Sequence, residues 1–118
     1  MQPDLFAPAS EPDPQPKIFT VSEITRTVRS LVEDKIGRVW VEGEICNLRR
    51  QSSGHQYFTL KDERCQLACV LFASQATRLR QAQVADGLRV QARGELTVYE
   101  ARGQYQLLVE LVQPVGAG

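Results

Sequence analysis

The chain has 118 residues, 42% of them hydrophobic and 24% charged, with 14 basic side chains against 14 acidic ones. That length suits one domain with an ordinary small core. No run of roughly 18 apolar residues occurs, and MQPDLFAPASEPDPQP has neither a basic start nor an apolar stretch, so neither a membrane span nor a secretory signal is expected.

The neutral total hides an uneven distribution. Residues 1–16 hold Asp4, Glu11 and Asp13 and no basic residue, so the remainder carries all 14 basic side chains against 11 acidic ones. Eleven of the 14 are Arg, whose planar fork suits phosphates and stacks on bases. The three cysteines, Cys46, Cys65 and Cys69, leave an odd one over, and nothing points to export. They read as reduced thiols in a cytoplasmic protein.

Residues 1–16 also hold five of the six prolines and no apolar periodicity, which predicts a disordered Pro-rich tail with Leu5 and Phe6 in it. Residues 17–37 read as an N-terminal helix. Thr20-Val-Ser-Glu23 is a capping box, and Ile24, Val28, Leu31 and Val32 form one apolar stripe behind it. Gly37 is the expected stop, and Arg26 and Arg29 fall on the opposite, solvated face.

Arg38–Leu48 alternates as a first strand, with Val39, Val41, Gly43 and Ile45 on one side and Glu42 and Glu44 on the other. Gly43 in mid-strand predicts a bulge or sharp bend, which leaves the side of Trp40 open. Ser52–His55 reads as a polar turn. A second strand, Gln56–Lys61, puts Phe58 and Leu60 inward and Tyr57, Thr59 and Lys61 outward. A third, Gln66–Phe72, puts Leu67, Cys69 and Leu71 inward and Ala68, Val70 and Phe72 outward.

Ser74–Gln81 is a short helix-compatible segment with Arg78 and Arg80 exposed. A fourth strand has Val90, Ala92 and Gly94 inward. Glu100–Gly103 is a turn, and the last strand alternates Tyr105, Leu107, Val109 and Leu111. Three strands, a short helix and two strands predict an all-β fold. It is a five-stranded oligonucleotide-binding (OB) barrel over residues 38–114, with the N-terminal helix in front and 115–118 as the start of a linker.

The inventory for catalysis is thin. His55 is the one histidine and lies in a turn, with Ser52 and Ser53 as sequence neighbours and no orienting third group. Cys65 and Cys69 with one histidine give too few ligands for structural zinc. No phosphate-cradling glycine loop and no cluster of carboxylates is present. No catalytic residue, metal or cofactor is expected in this stretch.

Binding fits better. A platform for single-stranded nucleic acid needs aromatic faces for bases and cations for phosphates on neighbouring strands. Tyr57 and Lys61 share the outward face of the second strand and Phe72 that of the third. Arg49 and Arg50 lead into the first turn, and Tyr99, Arg102 and Tyr105 surround the last. Arg49, Tyr57, Lys61, Phe72, Tyr99, Arg102 and Tyr105 are the expected contact residues. The alternation of Tyr105 with Leu107 and Val109 favours a core position for it.

VWVEGEICNL, SGHQYFTLKD, CVLF and LTVYEARGQYQLLVELVQPVGAG, behind IFTVSEITRTVRSLVED, together resemble the N-terminal region of bacterial exodeoxyribonuclease VII large subunits. The resemblance implies an OB domain that holds single-stranded DNA for a catalytic segment further along the chain. It also implies a parent nuclease that contains small subunits and serves DNA repair and turnover. At Cys46, Gln56, Ala73 and Ala101 the chain departs from the residues common in that family, which have Ser, an aromatic, Arg and Pro there. Two alternatives remain: an OB module for protein contact, including self-association, and an RNA-binding OB domain.

Overall fold

The structure, a computed structural model, describes residues 15–78 and 84–116. Most of the expected Pro-rich tail, Arg80 and Gln81, and the last two residues lie outside that range, as does the side chain of Arg78.

The first helix, α1, spans Val21–Leu31. Its capping box is fully formed. The Glu23 N–H donates to Thr20 Oγ1 at 3.1 Å, and the Thr20 N–H donates to Glu23 Oε1 at 2.8 Å. These bonds satisfy two of the amides that a helix start leaves open. The helix continues as a wider π turn over Val32–Ile36 and stops at Gly37, whose φ of 64° is cheap only without a Cβ. No residue of α1 is buried. The helix is held to the barrel through Arg29, which bonds Glu33 and Glu100 at 2.9 Å each, and through Glu33, which accepts from Thr97 Oγ1 at 2.6 Å. Arg29 is therefore an anchor and not part of a merely solvated face.

Five strands follow: β1 Arg38–Arg50, β2 Gln56–Lys61, β3 Gln66–Leu71, β4 Arg89–Tyr99 and β5 Gln104–Pro114. A second short helix, α2, Ala73–Arg78, lies between β3 and β4. The strands close in the order β1-β2-β3-β5-β4. All pairs are antiparallel except β3 with β5, which is parallel at Ala68–Gln106, Cys69–Leu107 and Val70–Leu108. Closure removes every open sheet edge. The expected OB barrel, with its two helices in the expected places, is the observed fold.

β1 pairs with β4 through Arg38–Glu44 and with β2 through Glu44–Arg50. Gly43 sits where it passes from one partner to the other. A Cβ there would stand 3.0 Å from the Lys61 carbonyl oxygen, so the bend needs glycine. The register with β4 is unbroken at this point. Gly43 is thus a bend, and the bulge of β1 lies further on, between Cys46 and Arg49. Trp40 consequently keeps the outward side and is 50% exposed.

The core is the inward set. Ile45, Phe58, Leu60, Cys69, Leu71, Val90, Ala92, Leu107 and Val109 are buried together. Each large side chain contributes about 1.5–3 kcal/mol by leaving water. Two expectations on β5 change. A bulge opposite Arg93 and Gly94 leaves Glu110 as an extra residue, so Val112 turns inward and is buried while Leu111 stands opposite Arg93 on the outer wall. Tyr105 keeps the inward parity but lies at the barrel end and is 54% exposed, so it is not core. Val70, on the outward side of β3, is nonetheless buried. It is flanked by Tyr57 on β2 and Leu108 on β5.

Candidate nucleic-acid interface

The outer face of β2 and β3 is built from directly opposed pairs: Tyr57 with Val70, Thr59 with Ala68, and Lys61 with Gln66. The middle row continues to Cys46 on β1 and Gln106 on β5. Its side chains are mostly small, so the face is lowest at its centre and rises toward both ends.

One end is formed around the β1–β2 turn. Between Cys46 and Arg49, β1 carries one residue more than β2, and Asn47 adopts a left-handed φ of 54°. Asparagine tolerates that conformation better than most side chains. The extra residue brings Arg49 opposite Tyr57 on the outer side. The Leu48 N–H donates to Asp86 Oδ1 at 2.9 Å, which holds the bulge in place. Asn47, Leu48, Arg49, Thr59 and Asp86 line an open hollow of about 530 Å³. Asn47, Thr59 and Asp86 were not singled out from sequence. The one local signal was an asparagine, a poor strand former, near the end of an alternating run.

Phe72 lies one residue beyond β3 at this same end. It is 41% exposed and meets the His55 ring edge-on, with centroids 5.4 Å apart. The register makes Phe72 a diagonal neighbour of Tyr57. Arg50, by contrast, turns away and donates from Nη2 to the Val84 carbonyl at 2.7 Å.

Lys61 belongs to the other end. Four strand steps separate it from Tyr57, roughly 13 Å. It shares a hollow of about 140 Å³ with Gln66 and Tyr105. Tyr99, 50% exposed, closes β4 beside the turn that carries Arg102. The seven expected residues therefore form two groups rather than one compact platform. Arg49, Tyr57 and Phe72 lie at one end, and Lys61, Tyr99, Arg102 and Tyr105 at the other.

The charges divide by wall. On the outer side of β1, β4 and β5, Arg38 bonds Glu110 at 2.9 and 3.0 Å, Arg93 lies 3.5 Å from Glu110, and Arg89 lies 3.2 Å from Glu42. Arg93 also lies over the Trp40 ring, 6.0 Å from its centroid. The Arg38 guanidinium holds the Glu110 carboxyl below the usual carboxylate range, and Gln91 and then Arg89 do the same for Glu42. Asp62, next to Lys61, is also held low, first by the Arg64 N–H and then by that of Cys65. It caps its own turn instead of pairing with Lys61.

Among the described residues, the side chains of Arg49, Lys61, Arg64 and Arg102 make no ion pair or hydrogen bond. Arg64, in the β2–β3 turn, is a further cation that the sequence reading passed over. Among the same residues, no three or more His, Cys, Asp or Glu side chains gather as metal ligands do. What this arrangement offers chemically is uncompensated positive charge and exposed rings around a shallow face.

Comparison with known proteins bears on the fold. Residues 19–113 match the family model described as the OB-fold nucleic acid binding domain. Exodeoxyribonuclease 7 large subunits are similar over most of the chain: that of Pseudomonas putida is 51% identical over 102 residues and that of Azotobacter vinelandii 49%. Each match covers 86% of this chain and 22% of the relative, so the chain spans about a fifth of the length of these curated relatives. Among solved structures, a replication protein A heterotrimer bound to ssDNA aligns with TM-score 0.54 at 13% identity, over 67% of this chain and 57% of that one. Asparaginyl-tRNA synthetase from Pyrococcus horikoshii aligns with TM-score 0.55 at 15% identity, over 67% and 19%. At such identities these two carry the fold alone, while the family model covers nearly the whole barrel and its leading helix. The chain therefore belongs to the OB-fold nucleic acid binding domain family.

Proposed function

We propose that this chain binds single-stranded DNA across the β2–β3 face, as the DNA-holding domain of a protein of the exodeoxyribonuclease 7 large-subunit type. The observation that carries the reading is the division of charge. Arginines on the β1–β4–β5 wall are neutralised by glutamates, while Arg49, Lys61 and Arg102 stand unpaired beside the half-buried ring of Tyr57 and the exposed rings of Phe72, Tyr99 and Tyr105. Bases stack on such rings, and phosphates take the cations.

Hydrolysis itself belongs, in this reading, to a part of such proteins that this chain does not span. The domain is a non-catalytic holder within a cytoplasmic exonuclease, and small subunits join that parent enzyme through its remaining length. A second reading, a protein-contact module, has one observation in its favour. Ile24, Val28 and Leu31 on α1 are 41%, 44% and 48% exposed, a patch that suits a partner protein or a second copy.

The test is fluorescence anisotropy of labelled single-stranded DNA, duplex DNA and the same sequence as RNA, at two salt concentrations. Three phosphate contacts predict a log–log salt slope of about −2 for the single strand. Preference for single-stranded DNA supports the reading. No binding at low salt refutes it in favour of the contact module, and stronger binding of the RNA refutes it through the 2′-hydroxyl. Trp40 lies on the wall away from this face and serves as a monitor of folding.

A further inference from the structure

We propose that His55 is a positioning residue. It locks the β1–β2 turn onto the start of α2 and thereby sets the orientation of the Phe72 ring that receives a base. The proposal rests on the single-stranded DNA reading above and adds to it a residue that makes the site rigid.

His55 sits just outside the β2–β3 ladder, whose last pair is Gln56 with Leu71. The next pair outward would be His55 with Phe72, where strand pairing has ended. A side-chain bond takes over: the Ala73 backbone N–H donates to His55 Nδ1 at 2.9 Å. The same imidazole meets the Phe72 ring at 5.4 Å with the planes 79° apart, the edge-to-face arrangement that aromatic pairs favour. One ring therefore holds both the backbone after Phe72 and the Phe72 side chain itself.

The backbone of His55 is fixed independently. Its carbonyl accepts from the Gln51 N–H at 2.9 Å, and the Gly54 N–H donates to the Gln51 carbonyl at 2.9 Å. Gly54 has a φ of 94°, and a Cβ placed on it would lie 3.0 Å from the Ala73 Cβ. The turn thus rests directly against the first residue of α2, and its positive φ favours glycine.

The geometry has a functional consequence. Phe72 lies beyond the ladder and is 41% exposed, so neither pairing nor burial fixes its ring. Without the imidazole the side chain would be free to choose among rotamers, and ordering it on DNA would cost affinity. His55 removes that cost in advance. The same contact joins Phe72 to the turn that follows Arg49.

The experiment uses the whole chain, a short fluorescein-labelled oligothymidine, and the variants His55→Phe, His55→Asn, Phe72→Ala and the double variant His55→Phe/Phe72→Ala. His55→Phe keeps a ring and loses the acceptor. His55→Asn keeps an acceptor oxygen near the Nδ1 position. His55→Phe, which loses the backbone bond, is expected to weaken binding about three- to tenfold, the worth of one such hydrogen bond, and His55→Asn, which keeps an acceptor but loses the ring against Phe72, is expected to weaken it as well. In the Phe72→Ala background, His55→Phe should bring no further loss, because the two act through one contact. Amide exchange at Ala73, read without DNA, should quicken in His55→Phe and not in His55→Asn.

Losses that multiply in the double variant would show that His55 acts apart from Phe72 and would overturn the proposal. Wild-type affinity in His55→Asn, or unchanged Ala73 exchange in His55→Phe, would overturn it as well. Wild-type affinity in His55→Phe would overturn it and leave the DNA reading standing. Failure of the wild-type chain to bind the oligomer at low salt would remove that reading, and this proposal with it.

Discussion

Arg49 stands opposite Tyr57 because β1 takes three steps, from Cys46 to Arg49, where β2 takes two, from Thr59 to Tyr57. Without the extra residue, Arg49 would share the inward parity of Ile45. The left-handed Asn47 makes the shift possible. Asn47→Val is expected to lower stability by about 1–3 kcal/mol, because a β-branched residue resists positive φ, and to weaken DNA binding. Asn47→Gly should preserve both. Thermal unfolding beside anisotropy titration checks the pair.

The free cations should be counted by salt. Arg49→Ala, Lys61→Ala and Arg102→Ala are each expected to flatten the log–log salt dependence of binding by about 0.7. Arg93→Ala, on the compensated wall, should leave the slope unchanged. Equal effects from all four would mean that the charge asymmetry does not locate the DNA.

Leu71 and Phe72 are adjacent and should respond oppositely. Leu71 is 1% exposed, and Leu71→Ala is expected to cost about 2–5 kcal/mol of stability through the cavity it leaves. Phe72→Ala should leave the unfolding transition near its wild-type position and cost about 1–3 kcal/mol of binding, one base stack. Denaturant melts and titrations of both variants separate core from platform.

Gly94 lies at the β5 bulge, where any Cβ would collide with the Leu108 carbonyl. The atoms it would meet, on Leu108 and Val109, are all backbone, so relief requires the strands to move. Gly94→Ala is expected to cost about 3 kcal/mol, the upper end of ordinary overpacking. Urea unfolding measures it.

Stability should fall on both sides of neutrality, for different reasons. Glu33, hydrogen-bonded first by Thr97 and then by Arg29, and Glu110, bonded by Arg38, are held below 4.5, and Asp62 is held below 3.8. Their contribution is complete above those values and disappears as pH falls through the depressed folded-state values. Cys69 behaves in reverse: burial pushes its thiol from 9.0 up to about 12, so stability is complete below 9.0 and declines as pH rises toward 12. Denaturation midpoints across pH should show a plateau with two falling limbs. Cys69→Ala should shrink the alkaline limb alone.

The helix start at Thr20, the stop at Gly37, the alternation of β2 and the strand-and-helix order of the barrel were all readable in the chain. Each depends on residues no more than about four apart, and such short-range patterns survive whatever the rest of the molecule does. Parity beyond a bulge does not survive in this way. Whether Arg49 faces out, whether Val112 replaces Leu111 in the core, and whether Tyr105 is covered depended on which strand lay alongside and in what register. Charge followed the same rule. Arg29 finds Glu100 across 71 residues and Arg38 finds Glu110 across 72, and only folding brings those partners within reach. The chain carried the elements and the stock of cations and rings. Packing between distant strands decided which cations were neutralised and which were left to meet a ligand, because Coulombic pairing and side-chain exposure depend on distance in space and not along the backbone.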